Sequence, residues 1–190
     1  MFAKSAEKLT KKLSHHNVIA SEQYEICRFG FQQGLTILLN FLTIAAIGLA
    51  MREFLHAMMF LAAFIPLRRF AGGFHAKTPV RCYLYSAFTV CAILLAIKLS
   101  VLTRFICIFV FSVSCAVILL LAPVEDKNKP LDNIEQIVFR KRTHIVAAIE
   151  TALFVISYVL QMDGVLVCLS WAFAAVALLL AAGKCRNMIH

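Results

Sequence analysis

Charged side chains are scarce, at 15% of the 190 residues against 62% apolar. With a mean hydropathy of +0.84, that balance excludes an ordinary soluble domain and makes the bilayer the solvent to reason with. Four prolines and seven glycines leave no Pro/Gly linker, and no internal repeat or low-complexity tract is present. The seven cysteines (27, 82, 91, 107, 115, 168 and 185) form no CxxC pair and show no ligand-like spacing with histidine. Most therefore read as small apolar packing residues, and neither a metal nor another cofactor is expected. No secretory signal peptide is expected, because the first residues are charged and the first apolar run is long and followed by others. The net charge of +9 does not point to nucleic acid, since the basic residues lie between apolar runs rather than in a stripe with interleaved aromatics.

What is present is a series of six apolar runs, roughly 31–50, 54–67, 83–99, 105–122, 145–160 and 165–183. The expected fold is all-α: a polytopic integral membrane protein of about six transmembrane helices, with 1–190 as a single membrane-embedded domain and 31–183 as its bundle. The second run is the shortest, and Pro66 with Arg68 and Arg69 suggests a short or re-entrant segment there. Over residues 1–16, Phe2, Ala6, Leu9 and Leu13 share a face opposite lysines, the pattern of an amphipathic interfacial helix. Sixteen of the nineteen Lys and Arg residues fall on one side of the alternating runs; only Arg52, Lys98 and Arg104 fall on the other. The positive-inside rule then puts both termini and the 68–82 and 123–143 loops in the cytoplasm of a multi-pass cell-membrane protein.

The least ordinary stretch is 68–82, RRFAGGFHAKTPVRC, where polar residues, two glycines and a proline gather at a membrane boundary. On one continuous helix His75 and Cys82 would be separated by about 10 Å of rise, too far for a proton transfer that needs roughly 3 Å. If they work together, the chain must fold back between them. Thr78 is suited to cap a following helix and Pro79 to open it, which puts Cys82 at the end of the first turn. There the helix dipole, Arg81 and Lys77 all favour the anionic, nucleophilic thiol. Gly72 and Gly73 permit close backbone approach and are candidate oxyanion donors. The plain alternative is that His75 and Cys82 are merely interfacial; a metal site is disfavoured because two neighbouring ligands are too few.

Residues 68–77 (RRFAGGFHAK), Cys82 seven positions after the histidine, and residues 122–131 (APVEDKNKPL) resemble the accessory gene regulator B (AgrB) family of Gram-positive quorum sensing. Size, hydropathy and the amphipathic start are similar over nearly the whole chain. The resemblance implies a membrane-embedded cysteine endopeptidase that removes the C-terminal tail of an autoinducing-peptide precursor of the AgrD type and promotes thiolactone or lactone closure. It also implies a homodimer, and it matches Arg68, Gly73, His75 and Cys82 to positions the family needs for activity. Lys127, Lys129, Arg140, Lys141 and Arg142 are either topology determinants at the lipid headgroups or holders of an acidic propeptide tail. Gln33, with Gln32, enters the first span on the cytoplasmic side, either for interhelical hydrogen bonding or as a candidate amide donor to the site. Glu150 is costly inside the fifth run, so it is expected to pair with a basic residue or face a polar cavity, with orientation of His75 as the alternative. The rival readings are a non-enzymatic carrier or export component for a peptide, and a regulatory scaffold.

Overall fold

A computed structural model of the protein describes residues 3–15, 23–74, 78–99, 103–125 and 132–189. They form seven helices: α1 (Ala3–His15), α2 (Tyr24–Ala50), α3 (Phe54–Ala71), α4 (Pro79–Leu99), α5 (Arg104–Leu121), α6 (Asn133–Val159) and α7 (Asp163–Ile189). The last six are long and apolar enough to cross a membrane. Even the 18-residue α3 and α5 rise about 27 Å, close to the ~30 Å of hydrocarbon.

The second span is, with α5, the shortest of the six, yet it is one helix long enough to cross a membrane. Helix α3 runs unbroken through Pro66 to Ala71. Pro66 lacks one amide donor, which a packed transmembrane helix tolerates because its neighbours hold it. Arg68 and Arg69 occupy the last turn, where cations complement the helix dipole. Helix α6 begins twelve residues before its apolar run, at a capping box: the Asp132 side chain accepts from the Asn133 amide at 2.7 Å, and Glu135 accepts from the Asp132 amide.

Helix α7 is the axis of the bundle. Over its most apolar stretch 56% of the residues are buried, against 11% for α2 and 17% for α4, so α2 and α4 are the peripheral members. Helices α3, α5 and α6 pack on α7. Phe111 of α5 stacks on Phe154 of α6 at 4.0 Å and meets Phe173 of α7 at 4.2 Å, a three-helix aromatic junction. The Ser170 hydroxyl bonds to its own helix at Leu166 and lies 3.2 Å from the Cys107 carbonyl of α5. Helix α1 buries Ala6 and Thr10, with Leu9 left 43% exposed, and it packs on α2. Its small edge thus docks on α2 while part of the expected apolar face stays free; Phe2 lies outside the described residues.

At the charge-poor end, Lys98 donates to the Met51 carbonyl and Arg104 pairs with Asp163 at 2.7 Å. His56 pairs with Glu53 at 2.6 Å. Those residues link helices and turns.

Candidate active site

Helix α3 ends because Gly72 and Gly73 take φ of +73° and +103°, a region that side-chain-bearing residues avoid. The chain leaves the helix axis there and meets the segment that follows α5. The Val124 amide donates to the Ala71 carbonyl at 3.0 Å, and the Gly73 amide donates to the Val124 carbonyl at 2.9 Å. Phe74 then donates its amide to the Leu179 carbonyl of α7 at 3.0 Å. The Arg68 guanidinium donates to the Phe74 carbonyl, the oxygen of the peptide that leads into His75. Arg68 therefore orients that peptide from the last turn of α3.

These bonds also correct one expectation. The Gly72 amide is engaged with the Arg68 carbonyl at 3.3 Å and the Gly73 amide with Val124, so neither is free to serve an oxyanion as the backbone stands. Their glycine character answers to geometry instead. A side chain on Gly72 would overlap the Val124 carbonyl oxygen, and one on Gly73 would come within 2.8 Å of the Leu179 oxygen.

The start of α4 is as expected from sequence. Thr78 precedes Pro79, its hydroxyl accepts from the Arg81 amide at 3.4 Å, and its carbonyl accepts from the Cys82 amide at 3.0 Å. Cys82 is exposed at the end of that first turn. Ser86 bonds back to the Cys82 carbonyl at 3.0 Å. Phe74 and Tyr85 meet edge to face at 6.3 Å, which ties the glycine turn to α4 one turn beyond the cysteine. The helix break between Ala71 and Pro79 excludes one continuous helix through this stretch. His75 and Lys77 themselves lie outside the described residues, as do Lys127 and Lys129.

Two stretches far apart in sequence, 68–74 and 122–125, are thus joined at one end of the bundle. A sequence model of the accessory gene regulator B family matches residues 6–180. The chain belongs to that family. Two provisionally named AgrB-like proteins of Clostridium perfringens, from strain SM101 and strain 13, are each 29% identical to it over 133 residues, which cover 66% of this chain. The match spans 60% of the length of each of these relatives. No solved structure matches the chain. It is a multi-pass AgrB-family membrane protein.

The structure divides the remaining candidates. Arg142 lies 5.5 Å over the Phe70 ring, and Phe70 also meets Phe139 of α6 at 6.3 Å, so Arg142 belongs to the α3–α6 contact beside the glycine turn. Arg140 and Lys141 point elsewhere: with Ile137, His144, Ile145 and Ala148 they form one open face of α6. Arg81 is exposed beside Cys82. Gln33 is exposed on α2, and the hydrogen bond from α2 to α4 is made ten residues farther along, between Thr43 and Tyr83 at 2.9 Å. Glu150 is 5% exposed and lies eight residues beyond Arg142, about 12 Å deeper along α6, away from the glycine turn. One of its oxygens has no hydrogen-bond partner among the described residues.

Sequence reasoning missed Gly183, Arg186 and Asn187. A Cβ on Gly183 would sit 2.7 Å from the Phe74 nitrogen; Arg186 lies 5.2 Å over the Phe74 ring; and the Asn187 side chain donates to the Glu125 carbonyl at 2.9 Å. The available signal was a lone glycine at the end of the last apolar run followed by polar residues, which reads equally well as the end of a span.

Proposed function

We propose that this AgrB-family protein is a membrane-embedded cysteine endopeptidase that cuts the C-terminal tail from an AgrD-type autoinducing-peptide precursor and promotes ring closure. The observation that carries the reading is the exposed Cys82 on the capped first turn of α4, next to the turn where the two family-like motifs meet. His75 takes the Cys82 proton as the thiolate attacks the scissile carbonyl, then returns it to the departing amine of the tail. The core peptide is left as a thioester on Cys82. Its own internal thiol, or a hydroxyl, attacks that thioester and releases Cys82, with a balanced exchange of one acyl bond for another. Water would instead yield a linear acid, and a site at the edge of hydrocarbon limits water. Arg68 and the glycine pair hold the turn, and Arg81 stands exposed beside Cys82 on the first turn of α4. The steps need no cofactor.

The expected topology has both chain ends and the site in the cytoplasm, from the charge asymmetry. One experiment tests chemistry and sidedness together. Cognate propeptide is added to inverted or right-side-out membrane vesicles, the reaction is acid-quenched, and the acyl adduct is mapped by mass spectrometry. Core peptide should be found on Cys82 and only in inverted vesicles. An adduct on another cysteine would end the mechanism, labelling from the outer face would reverse the topology, and transport without any adduct would favour the carrier reading.

Lys127, Lys129, Arg140, Lys141 and Arg142 are proposed to attract an acidic tail at the membrane surface. Neutralising the five together should raise KM by about tenfold and lower kcat by less than about twofold. Added salt should reproduce the effect in the unaltered protein. An unchanged KM would leave these residues with a topological role alone.

A further inference from the structure

The last three turns of α7 lie against the site although nothing in the 68–82 or 122–131 motifs points to them. Leu179, Gly183 and Asn187 recur every four residues and so share one face of the helix. Each touches backbone that shapes the turn. The Leu179 carbonyl accepts the Phe74 amide. Gly183 leaves the space that the 73–74 backbone occupies, since a Cβ there would stand 2.7 Å from the Phe74 nitrogen and 2.9 Å from the Gly73 carbonyl carbon. The Asn187 amide holds the Glu125 carbonyl, one residue after the Val124 that pairs with Gly73. The same face therefore fixes both segments of the junction at once.

We infer that this face of α7 is a positioning element for the reaction, and that Gly183 is its central positioning residue. The inference rests on the proposed peptidase function. Its physical content is a distance. The atoms that a Cβ at 183 would meet are main-chain atoms of a turn already held by Val124 and Leu179, so they cannot rotate away as a side chain would. To restore an ordinary contact of 3.4 Å, the turn or α7 must move by roughly 0.7 Å. Phe74 is joined directly to His75 and touches Tyr85 on α4, so the shift is transmitted to the entrance of the His75 segment and toward the helix that carries Cys82. A misplacement of about 1 Å away from the reacting atoms costs up to about 10²-fold in rate.

The test uses the full chain in liposomes, with every cysteine except Cys82 replaced by alanine. Gly183→Ala should lower kcat by about 10- to 10²-fold, with KM changed by less than about twofold. In the same protein, without peptide, the rate of Cys82 alkylation by iodoacetamide should change by about threefold or more. Asn187→Ala removes one hydrogen bond from an exposed side chain and should shift both quantities in the same direction by a smaller factor. It supplies the answer if Gly183→Ala does not fold. Wild-type kcat in both variants overturns the inference, as does a loss of kcat with unaltered Cys82 alkylation, which would place the defect elsewhere. If the unaltered protein does not cut the peptide, the peptidase reading fails; the alkylation rates still decide whether α7 governs the surroundings of Cys82.

Discussion

Replacing Cys82 with alanine is expected to abolish cleavage of the propeptide while leaving its binding in place. Alanine removes the only group proposed to form the acyl intermediate but leaves α4 intact, because the hydrogen bonds at its start use the Thr78 side chain and carbonyl and the amides of residues 81 and 82. His75→Ala should retain a trace of activity. Loss of general-base help is worth about 10² to 10⁴ in rate. The other six cysteines provide the control. Cys107 and Cys168 are buried, so their loss to alanine should cost on the order of 1 kcal/mol each in packing, with cleavage per folded molecule largely unchanged. Cleavage at the wild-type rate by Cys82→Ala, measured by chromatography of the released tail, would end the proposed mechanism.

Gly72→Val is expected to be nearly as severe, for a reason of backbone geometry. Gly72 has φ +73° and ψ −143°, a combination that non-glycine residues reach only at a cost of about 1–3 kcal/mol. The added Cβ would also overlap the Val124 carbonyl oxygen, the acceptor of the Gly73 amide. Relief requires separating the two segments, with loss of the Gly73–Val124 and Val124–Ala71 hydrogen bonds, each worth about 0.5–1.5 kcal/mol. Activity should fall by about 10²-fold or more, with total helicity by circular dichroism little changed because the spans do not depend on this turn. Gly30 and Gly34 on α2 offer the contrast. A Cβ at either would meet nothing within 4 Å, and alanine there should be neutral or stabilise the helix by up to about 1 kcal/mol. Wild-type activity in Gly72→Val would show that the junction is not needed for the reaction.

The spans were legible in the sequence because a bilayer demands long apolar helices, and six runs met that demand. The start of α4 was legible too, since Thr78 and Pro79 carry a local capping signal. What hydropathy could not register was helix outside hydrocarbon: α6 opens at Asp132 through a capping box, and α7 continues past Gly183, both in polar sequence. The break after Ala71 was readable from Gly72 and Gly73. The occupation of their amides was not, because the acceptors are Arg68, at the helix end, and Val124, about fifty residues away. Gly183 was hidden for the same reason. A glycine needed for close approach looks, in sequence, like one that merely ends a run.

The dependence of the glycine turn on α7 also sets an order of biogenesis. Residues 179–187 follow residues 72–74 by more than a hundred positions, and at about 5–20 residues per second they leave the ribosome on the order of ten seconds later. During that interval α3 and α4 are already made, but the Leu179 carbonyl and the gap at Gly183 that receive Phe74 do not yet exist. The nascent chain thus carries Cys82 before it carries a finished surrounding for it, and a peptide encountered early finds an incompletely assembled protein.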